Sequence, residues 1–71
     1  MTVNECAEIL RSKGYTAYCW KPKENSAEPD IVARKNGRFY NVYLYRDNAR
    51  EEAINEFAKE RGAKVIFMSQ S

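Results

Sequence analysis

The sequence contains no histidine, only two cysteines and only three glycines. Without histidine, the chain can form neither a Ser-His-Asp nor a Cys-His catalytic arrangement, and it has no histidine ligand for zinc. Cys6 and Cys19 are too few for a Cys₄ zinc site, and we predict that both are small buried hydrophobic residues rather than a disulfide. Gly14, Gly37 and Gly62 lie too far apart to form a glycine-rich phosphate-binding loop.

Long hydrophobic runs are also absent. No stretch of 18 apolar residues is present, so we expect no membrane span, and the first residues lack the basic and apolar regions of a secretory signal. The chain has 71 residues, of which 44% are hydrophobic and 31% are charged, and this composition is typical of a small globular protein. We therefore expect one cytoplasmic domain over residues 1–71, with no membrane partner.

The net charge is small, but its distribution along the chain is uneven. Twelve Lys and Arg residues against ten Asp and Glu residues give +2, which does not by itself indicate a nucleic-acid-binding protein. Residues 34–50 contain five cations and one acid, a local charge of +4. This basic stretch either contacts phosphates or is a solvated surface, and the sequence leaves both interpretations open.

Two helices are predicted from capping residues and apolar periodicity. Thr2 and Glu5 fit a capping box, and apolar residues then recur at the spacing of a helix face. Asn48 and Glu51 repeat the capping pattern before a second apolar face. A glycine follows each helix, where a left-handed residue is favoured. The predicted helices span residues 3–13 and 49–61.

Four strands are predicted around these helices. Asn36-Gly37 is a strong signal for a type I′ hairpin turn, because both residues tolerate positive φ. The last strand is nearly all apolar, which predicts that both of its faces are covered, and a right-handed crossover should place it parallel to the third strand. The sequence thus predicts an α/β domain of order αβββαβ with a mixed four-stranded sheet. The predicted strands are 15–21, 31–35, 38–45 and 64–68.

This order of elements resembles the PD-(D/E)XK nuclease superfamily. The most specific part of the resemblance is the segment 28–38, Glu-Pro-Asp-Ile-Val-Ala-Arg-Lys-Asn-Gly-Arg, in which Pro-Asp opens an Asn-Gly hairpin. The chain is most similar to the small archaeal-type Holliday-junction resolvases, and the similarity covers nearly its whole length. The resemblance implies a restriction-endonuclease-like fold. It also implies that an Asp on the second strand and a Glu on the third bind Mg²⁺, while a Lys two residues after the Glu positions water.

The catalytic residues of that family are largely missing here. Asp30 matches the family's aspartate, but Tyr43 and Tyr45 occupy the positions that the resemblance assigns to the Glu and the Lys. The Glu that the first helix contributes in the family has only Glu5 as an imperfect counterpart. A single carboxylate does not bind Mg²⁺ well, so we expect a degenerate active site with no metal site and no cofactor.

Two questions about this site remain open in the sequence. Catalytic residues are known to migrate in this superfamily, so Asp47 or Glu24 could restore some nuclease activity, and Mg²⁺ would then be its cofactor. Alternatively, Asp30 has a structural role and accepts backbone hydrogen bonds in the turn before its strand.

The aromatic residues also have two interpretations. Alternation along the third strand places Phe39, Tyr43 and Tyr45 on one face, and Tyr18 and Trp20 alternate similarly on the first strand. These rings either pack under a helix with their hydroxyls reaching water, or form an exposed platform for a base or a partner protein.

Three functional hypotheses follow. The first is a catalytically degenerate nuclease-fold module that binds DNA or structured nucleic acid by backbone shape. The second is a protein-interaction adaptor or inhibitor that uses Trp20, Tyr43 and Tyr45 as anchors. The third is an active Mg²⁺-dependent resolvase, and a homodimer is compatible with all three. The cations expected to contact phosphates in the first hypothesis are Lys21, Lys23, Arg34, Lys35, Arg38, Arg46 and Arg50.

Overall fold

The computed structural model of the protein describes residues 2–46 and 48–68. The elements follow the order αβββαβ, which confirms the predicted fold class. A short 3₁₀ turn, Asn48–Arg50, precedes the second helix. The helices and strands are α1 (Val3–Ser12), β1 (Thr16–Cys19), β2 (Ile31–Lys35), β3 (Arg38–Tyr43), α2 (Glu51–Arg61) and β4 (Ala63–Phe67).

The four strands form one mixed sheet in the order β1-β2-β3-β4. The first three are antiparallel neighbours, and β4 lies parallel to β3, as the crossover predicts. Asn36 and Gly37 have φ values of 53° and 76°, the left-handed backbone that a type I′ turn requires. The turn joins the paired residues Lys35 and Arg38, so it fixes the register of the whole hairpin.

The main core lies between α1 and one face of the sheet. The capping box at Thr2 and Glu5 is present and starts α1, so that its apolar residues face the strands. Each large apolar side chain buried there stabilises the fold by about 1.5–3 kcal/mol. The buried residues of this core are Cys6, Ala7 and Leu10 from α1, and Ala17, Ile31, Ala33, Val42 and Leu44 from the sheet side.

The second helix covers only part of the opposite sheet face. Ile54 and Ala58 of α2 are buried, and among the strands α2 packs mainly against β4. Within the described residues, no helix packs on the β1–β2 half of this face. That half therefore presents its side chains to solvent.

The strand and helix ends differ slightly from the predicted ones. The first strand is four residues long instead of seven: it ends at Cys19, and Tyr15 lies before its start with its ring edge-on against Tyr40. The third strand ends at Tyr43, and α1 ends at Ser12. The prediction that β4 is covered on both faces is wrong in degree: β4 is an edge strand, and most of its residues are only half-buried.

Two predictions about individual residues are wrong. Asn48 does not cap α2, because residues 48–50 form the 3₁₀ turn and the helix starts after Arg50 without a side-chain cap. Cys6 is buried as predicted, but Cys19 is exposed, and its thiol donates a hydrogen bond to Asn4 Oδ1 at 3.3 Å. Neither cysteine forms a disulfide within the part of the chain that the structure describes.

The outer edge of β1 is partly closed by α1. The Trp20 N–H donates to the Asp30 carbonyl, and in an antiparallel pair every second residue forms such hydrogen bonds to the neighbouring strand. Ala17 is one of the residues between them, so its carbonyl points away from β2 and toward the free edge of the sheet. The Arg11 guanidinium donates to this carbonyl through Nη2 at 2.7 Å and Nε at 3.2 Å. An ion pair with Glu8 at 2.8 Å holds the same guanidinium on the helix. The Arg11 side chain is therefore hydrogen-bonded to the backbone carbonyl with which an added strand would have to pair.

Candidate nucleic-acid interface

Asp30 joins the start of β2 to the end of β3. Its backbone N–H donates to the Val42 carbonyl at 3.0 Å, and its Oδ2 accepts from the Leu44 N–H at 2.9 Å. Because Ile31 pairs with Val42, the next position of the register places Asp30 opposite Tyr43. The carboxylate thus accepts a backbone hydrogen bond, but from the residue after β3 and not in the turn before β2, and a tyrosine lies where the resemblance expects the second carboxylate.

The two tyrosines of this region lie in different environments. Tyr43 is 4% exposed, and its hydroxyl donates to the Ala27 carbonyl at 2.5 Å instead of reaching water. Burial raises the pKa of the Tyr43 phenol, while the Asn41 side chain and then the positive charges of Arg50 and Arg61 oppose this rise. Tyr45 lies beyond the end of β3 and is 69% exposed. Tyr43 is therefore not available as an exposed anchor for a partner protein.

A cavity of about 300 Å³ adjoins Asp30 and is called here the Asp30 cavity. Two of its three carboxylates already have partners: Glu28 accepts from the Lys23 N–H at 2.8 Å, and Asp30 accepts from the Leu44 N–H. In residues 2–46 and 48–68, no three Asp, Glu or Cys side chains come together in a way that could hold a metal ion. The residues that line the cavity are Pro22, Lys23, Glu24, Asn25, Glu28, Asp30, Tyr43, Tyr45, Arg50 and Ile54.

The other vestigial candidates do not complete a site. Glu5 belongs to the α1 capping box, where its Oε1 accepts from the Thr2 N–H at 2.9 Å. That backbone hydrogen bond, followed by the interaction with the Thr2 side chain, lowers the pKa of Glu5. Asp47 lies outside the described residues.

The open half of the sheet carries a second, larger concavity of about 580 Å³. We call this surface the hairpin face and define it by Thr16, Tyr18, Val32, Arg34 and Phe39. Tyr18 is 64% exposed and Phe39 is 45% exposed. The lining of this concavity contains two cations and no acidic residue, whereas the Asp30 cavity has three acids and two cations. The hairpin face therefore combines exposed aromatic surface with a positive local charge.

Arg34 and Lys35 differ in the contacts that their charged groups make within the protein. The Arg34 guanidinium lies 5.8 Å from the centre of the Phe39 ring, and Arg34 is exposed. The Lys35 amine donates to the Lys13 carbonyl at 2.8 Å and lies 4.9 Å from the centre of the Tyr15 ring. Lys35 thus links the hairpin to the end of α1, and its amine lies on the sheet face that Ile31 and Ala33 share.

The structure separates the seven predicted phosphate-binding cations into two groups. Arg34, Lys35 and Arg38 lie at the hairpin, while the other four lie near the Asp30 end of the sheet, about 16 Å away along a five-residue strand. In that second group, Arg46 pairs with Glu51 at 3.4 Å and lies 4.7 Å from the Phe67 ring centre. One continuous basic surface is not formed. The hairpin group lies beside exposed Tyr18 and Phe39, whereas the second group shares its end of the sheet with exposed Trp20 and Tyr45 and with the acids of the Asp30 cavity.

Sequence reasoning missed the hairpin face as a unit. The alternation of Tyr18 and Phe39 was a usable signal, but nothing in the sequence shows that α2 leaves this half of the sheet uncovered. No described helix is long and apolar enough to cross a membrane. In comparisons with protein families and with curated proteins, the sequence has no significant match.

Proposed function

We propose that this protein is a non-catalytic nucleic-acid-binding module with a nuclease-like αβββαβ fold, and that it binds through the hairpin face. The observation that carries the proposal is the concavity whose lining combines exposed Tyr18 and Phe39 with Arg34 and Lys35 and contains no acid. Cations contact the phosphate backbone, and exposed aromatic rings on a sheet stack on bases. The resemblance to PD-(D/E)XK nucleases supports the same class of partner.

The residues at the Asp30 end support binding without cleavage. Tyr43 and Tyr45 supply neither the carboxylate nor the amine that the nuclease mechanism needs, and the Asp30 carboxylate already accepts a backbone hydrogen bond. The Asp30 cavity also has more acids than cations, which disfavours a phosphate backbone there. The surface for nucleic acid and the vestigial site are therefore different parts of the molecule.

Fluorescence anisotropy with labelled DNA tests the surface. The double variant Arg34→Glu with Arg38→Glu reverses two exposed charges and leaves Lys35, which has a structural contact. We expect it to weaken binding roughly tenfold or more at about 50 mM salt and to flatten the dependence of affinity on salt. The matched control, Lys21→Glu with Lys23→Glu, changes the charge equally at the opposite end of the sheet and should bind nearly as the wild type does.

The outcomes separate clearly. Equal losses in the two double variants would show that net charge, and not the hairpin face, governs binding. No binding to single-stranded, duplex or four-way-junction DNA at this salt would refute the proposed function. Circular dichroism melting of each variant confirms that a loss of binding is not a loss of fold.

A cleavage assay tests the absence of catalysis. We expect a four-way junction to remain intact with the protein and Mg²⁺ or Mn²⁺, because the second carboxylate is replaced by Tyr43. Metal-dependent cleavage that disappears in Asp30→Asn would contradict this part of the proposal and would favour an active resolvase.

A protein-interaction module is the second candidate function, and two exposed rings favour it. Trp20 is 46% exposed and Tyr45 is 69% exposed, both near the Asp30 end of the sheet. Such rings are common anchors of protein interfaces. If the partner is a second copy of the chain, sedimentation will show dimers at any salt concentration, and Trp20→Ala with Tyr45→Ala will convert them to monomers.

A further inference from the structure

The geometry points to a single-stranded nucleic acid as the ligand of the hairpin face, with one base stacked on Phe39 and another on Tyr18. This inference rests on the proposed function and specifies its substrate class. It follows from the position of the two rings on the sheet, from the apolar floor between them and from the charge at one side.

The two rings are placed to hold separate bases. Tyr18 pairs with Val32, and Phe39 pairs with Arg34, so the rings lie two strands apart and two residues apart along the strands. With a strand spacing of about 4.8 Å and a rise of about 3.4 Å per residue, their Cβ atoms are about 12 Å apart. Stacked rings lie only about 4.5–7 Å apart. The two rings are therefore too far apart to stack on the same base, and each would stack on a different one.

A single strand satisfies this arrangement and a duplex does not. In a duplex the base faces are covered by neighbouring base pairs, and the surface consists of phosphates and groove edges. The floor between the rings is Val32, which offers no hydrogen-bonding side chain to read a groove edge. Unstacked bases expose faces that bind aromatic side chains without sequence preference. We therefore expect sequence-tolerant binding.

The charges fit the same ligand. The Arg34 guanidinium lies over the Phe39 ring, 5.8 Å from its centre, so a phosphate next to a base at Phe39 meets a cation directly. Lys35 also belongs to the lining, with its amine held at the Lys13 carbonyl, and no acid in the lining repels the backbone. A flexible strand can bring phosphates to this side while its bases lie on the floor.

Anisotropy measurements with four ligands test the inference. The ligands are a mixed-sequence DNA strand of about 16 nucleotides, its duplex, a four-way junction, and an abasic strand of equal length that keeps the phosphates but lacks the bases. We expect the normal strand to bind more tightly than the other three. Phe39→Leu and Tyr18→Leu, which keep an apolar side chain but remove the aromatic face, should each weaken binding of the strand roughly five- to 150-fold.

Matched controls isolate stacking from charge and from folding. Phe39→Tyr keeps an aromatic face and should retain affinity, and Tyr45→Leu removes an equally exposed ring outside the hairpin face. Neither leucine variant should change the salt dependence or the weak binding of the abasic strand, because no charge is altered. If Phe39→Leu does not fold, Tyr18→Leu at its 64% exposed position provides the same test.

Two kinds of failure can be told apart. If the duplex or the junction binds as tightly as the strand, and binding depends on Arg34 and Arg38 but not on Tyr18 and Phe39, the single-strand inference is wrong and the proposed function stands. Equal binding of the abasic and normal strands leads to the same conclusion. If none of the four ligands binds, both are wrong.

Discussion

Replacing Asn41 with leucine should stabilise this protein, because the asparagine is a fully buried polar residue without a partner. Asn41 lies on β3 and is 0% exposed, and neither its Oδ1 nor its Nδ2 atom has a hydrogen-bond partner among the described residues. Its neighbours on the adjacent strands are Val32 and Val65, which offer only apolar side chains. The Tyr43 hydroxyl, two residues along the same strand face, interacts with the amide but donates its own proton to the Ala27 carbonyl. The amide has thus lost its hydration without gaining a well-formed hydrogen bond.

The magnitude follows from the cost of that burial. An unsatisfied buried polar group destabilises the folded state by about 1–3 kcal/mol. Leucine branches at Cγ as asparagine does but carries two bulkier methyl groups, so it removes this cost while the core must accommodate the added volume. We expect the free energy of unfolding to rise, by at most about 1–3 kcal/mol, and in a domain of this size each kcal/mol raises Tm by roughly 4–8 °C.

Urea and thermal unfolding of three variants test the argument. Asn41→Leu should be more stable than the wild type, and Asn41→Ala should be less stable than Asn41→Leu because it leaves a cavity. The same change at an exposed position of α2, Asn55→Leu, should alter stability by no more than about 0.5 kcal/mol. A loss of stability in Asn41→Leu greater than the roughly 1–3 kcal/mol that overpacking costs would refute the reasoning, because it would show that the amide is hydrogen-bonded in the folded protein.

Three further predictions concern the hairpin turn and the Asp30 end. In urea unfolding, Gly37→Val should lower the free energy of unfolding by about 1–3 kcal/mol. A Cβ at this position meets no atom within 4 Å, so the cost arises only from the φ of 76°. Gly37→Asn should cost less, because asparagine tolerates positive φ better than valine does. Tyr43→Phe should lose about 0.5–1.5 kcal/mol with the hydrogen bond to Ala27. Burial raises the pKa of Tyr43 in the folded state. The stabilisation by the protonated phenol is therefore complete below the unfolded-state pKa of about 10 and falls as the pH rises further. Unfolding experiments above that pH should show the stability of the wild type decreasing toward that of Tyr43→Phe. Asp30→Ala should destabilise by about 1–3 kcal/mol, because the Leu44 N–H loses its acceptor, while Asp30→Asn retains an acceptor and should cost less; equal losses would contradict this.

Local signals in the sequence predict most of this fold. The Asn36-Gly37 turn, the Thr2 capping box and the glycine after each helix depend on backbone preferences of a few neighbouring residues, and each is present in the structure. The alternation on β3 also holds, with Val42 in the main core and Asn41 on the other face. The order αβββαβ follows once these elements are connected by short turns.

Features that depend on distant contacts were not predictable. Cys19 is exposed because β1 is an edge strand that ends there, and the exposure of Phe39 depends on how far α2 extends across the sheet. The seven cations are close in sequence, but the hairpin reverses the chain and carries them to opposite ends of two strands. The distinction between an aromatic residue that is packed and one that is open therefore appears only in the folded chain.

The contact between Arg11 and the Ala17 carbonyl has a consequence for how copies of this protein associate. An exposed edge strand is a template for aggregation and for continuous sheets that pass from one molecule to the next. Here a strand added beside β1 would have to displace a guanidinium from a carbonyl that it contacts through two nitrogens. Crowded solutions of the protein should therefore resist β1-to-β1 polymerisation, and Arg11→Met should release that resistance, visible as light scattering that increases with protein concentration. Glu8→Gln removes the ion pair but keeps the contact with Ala17, so it should remain clear.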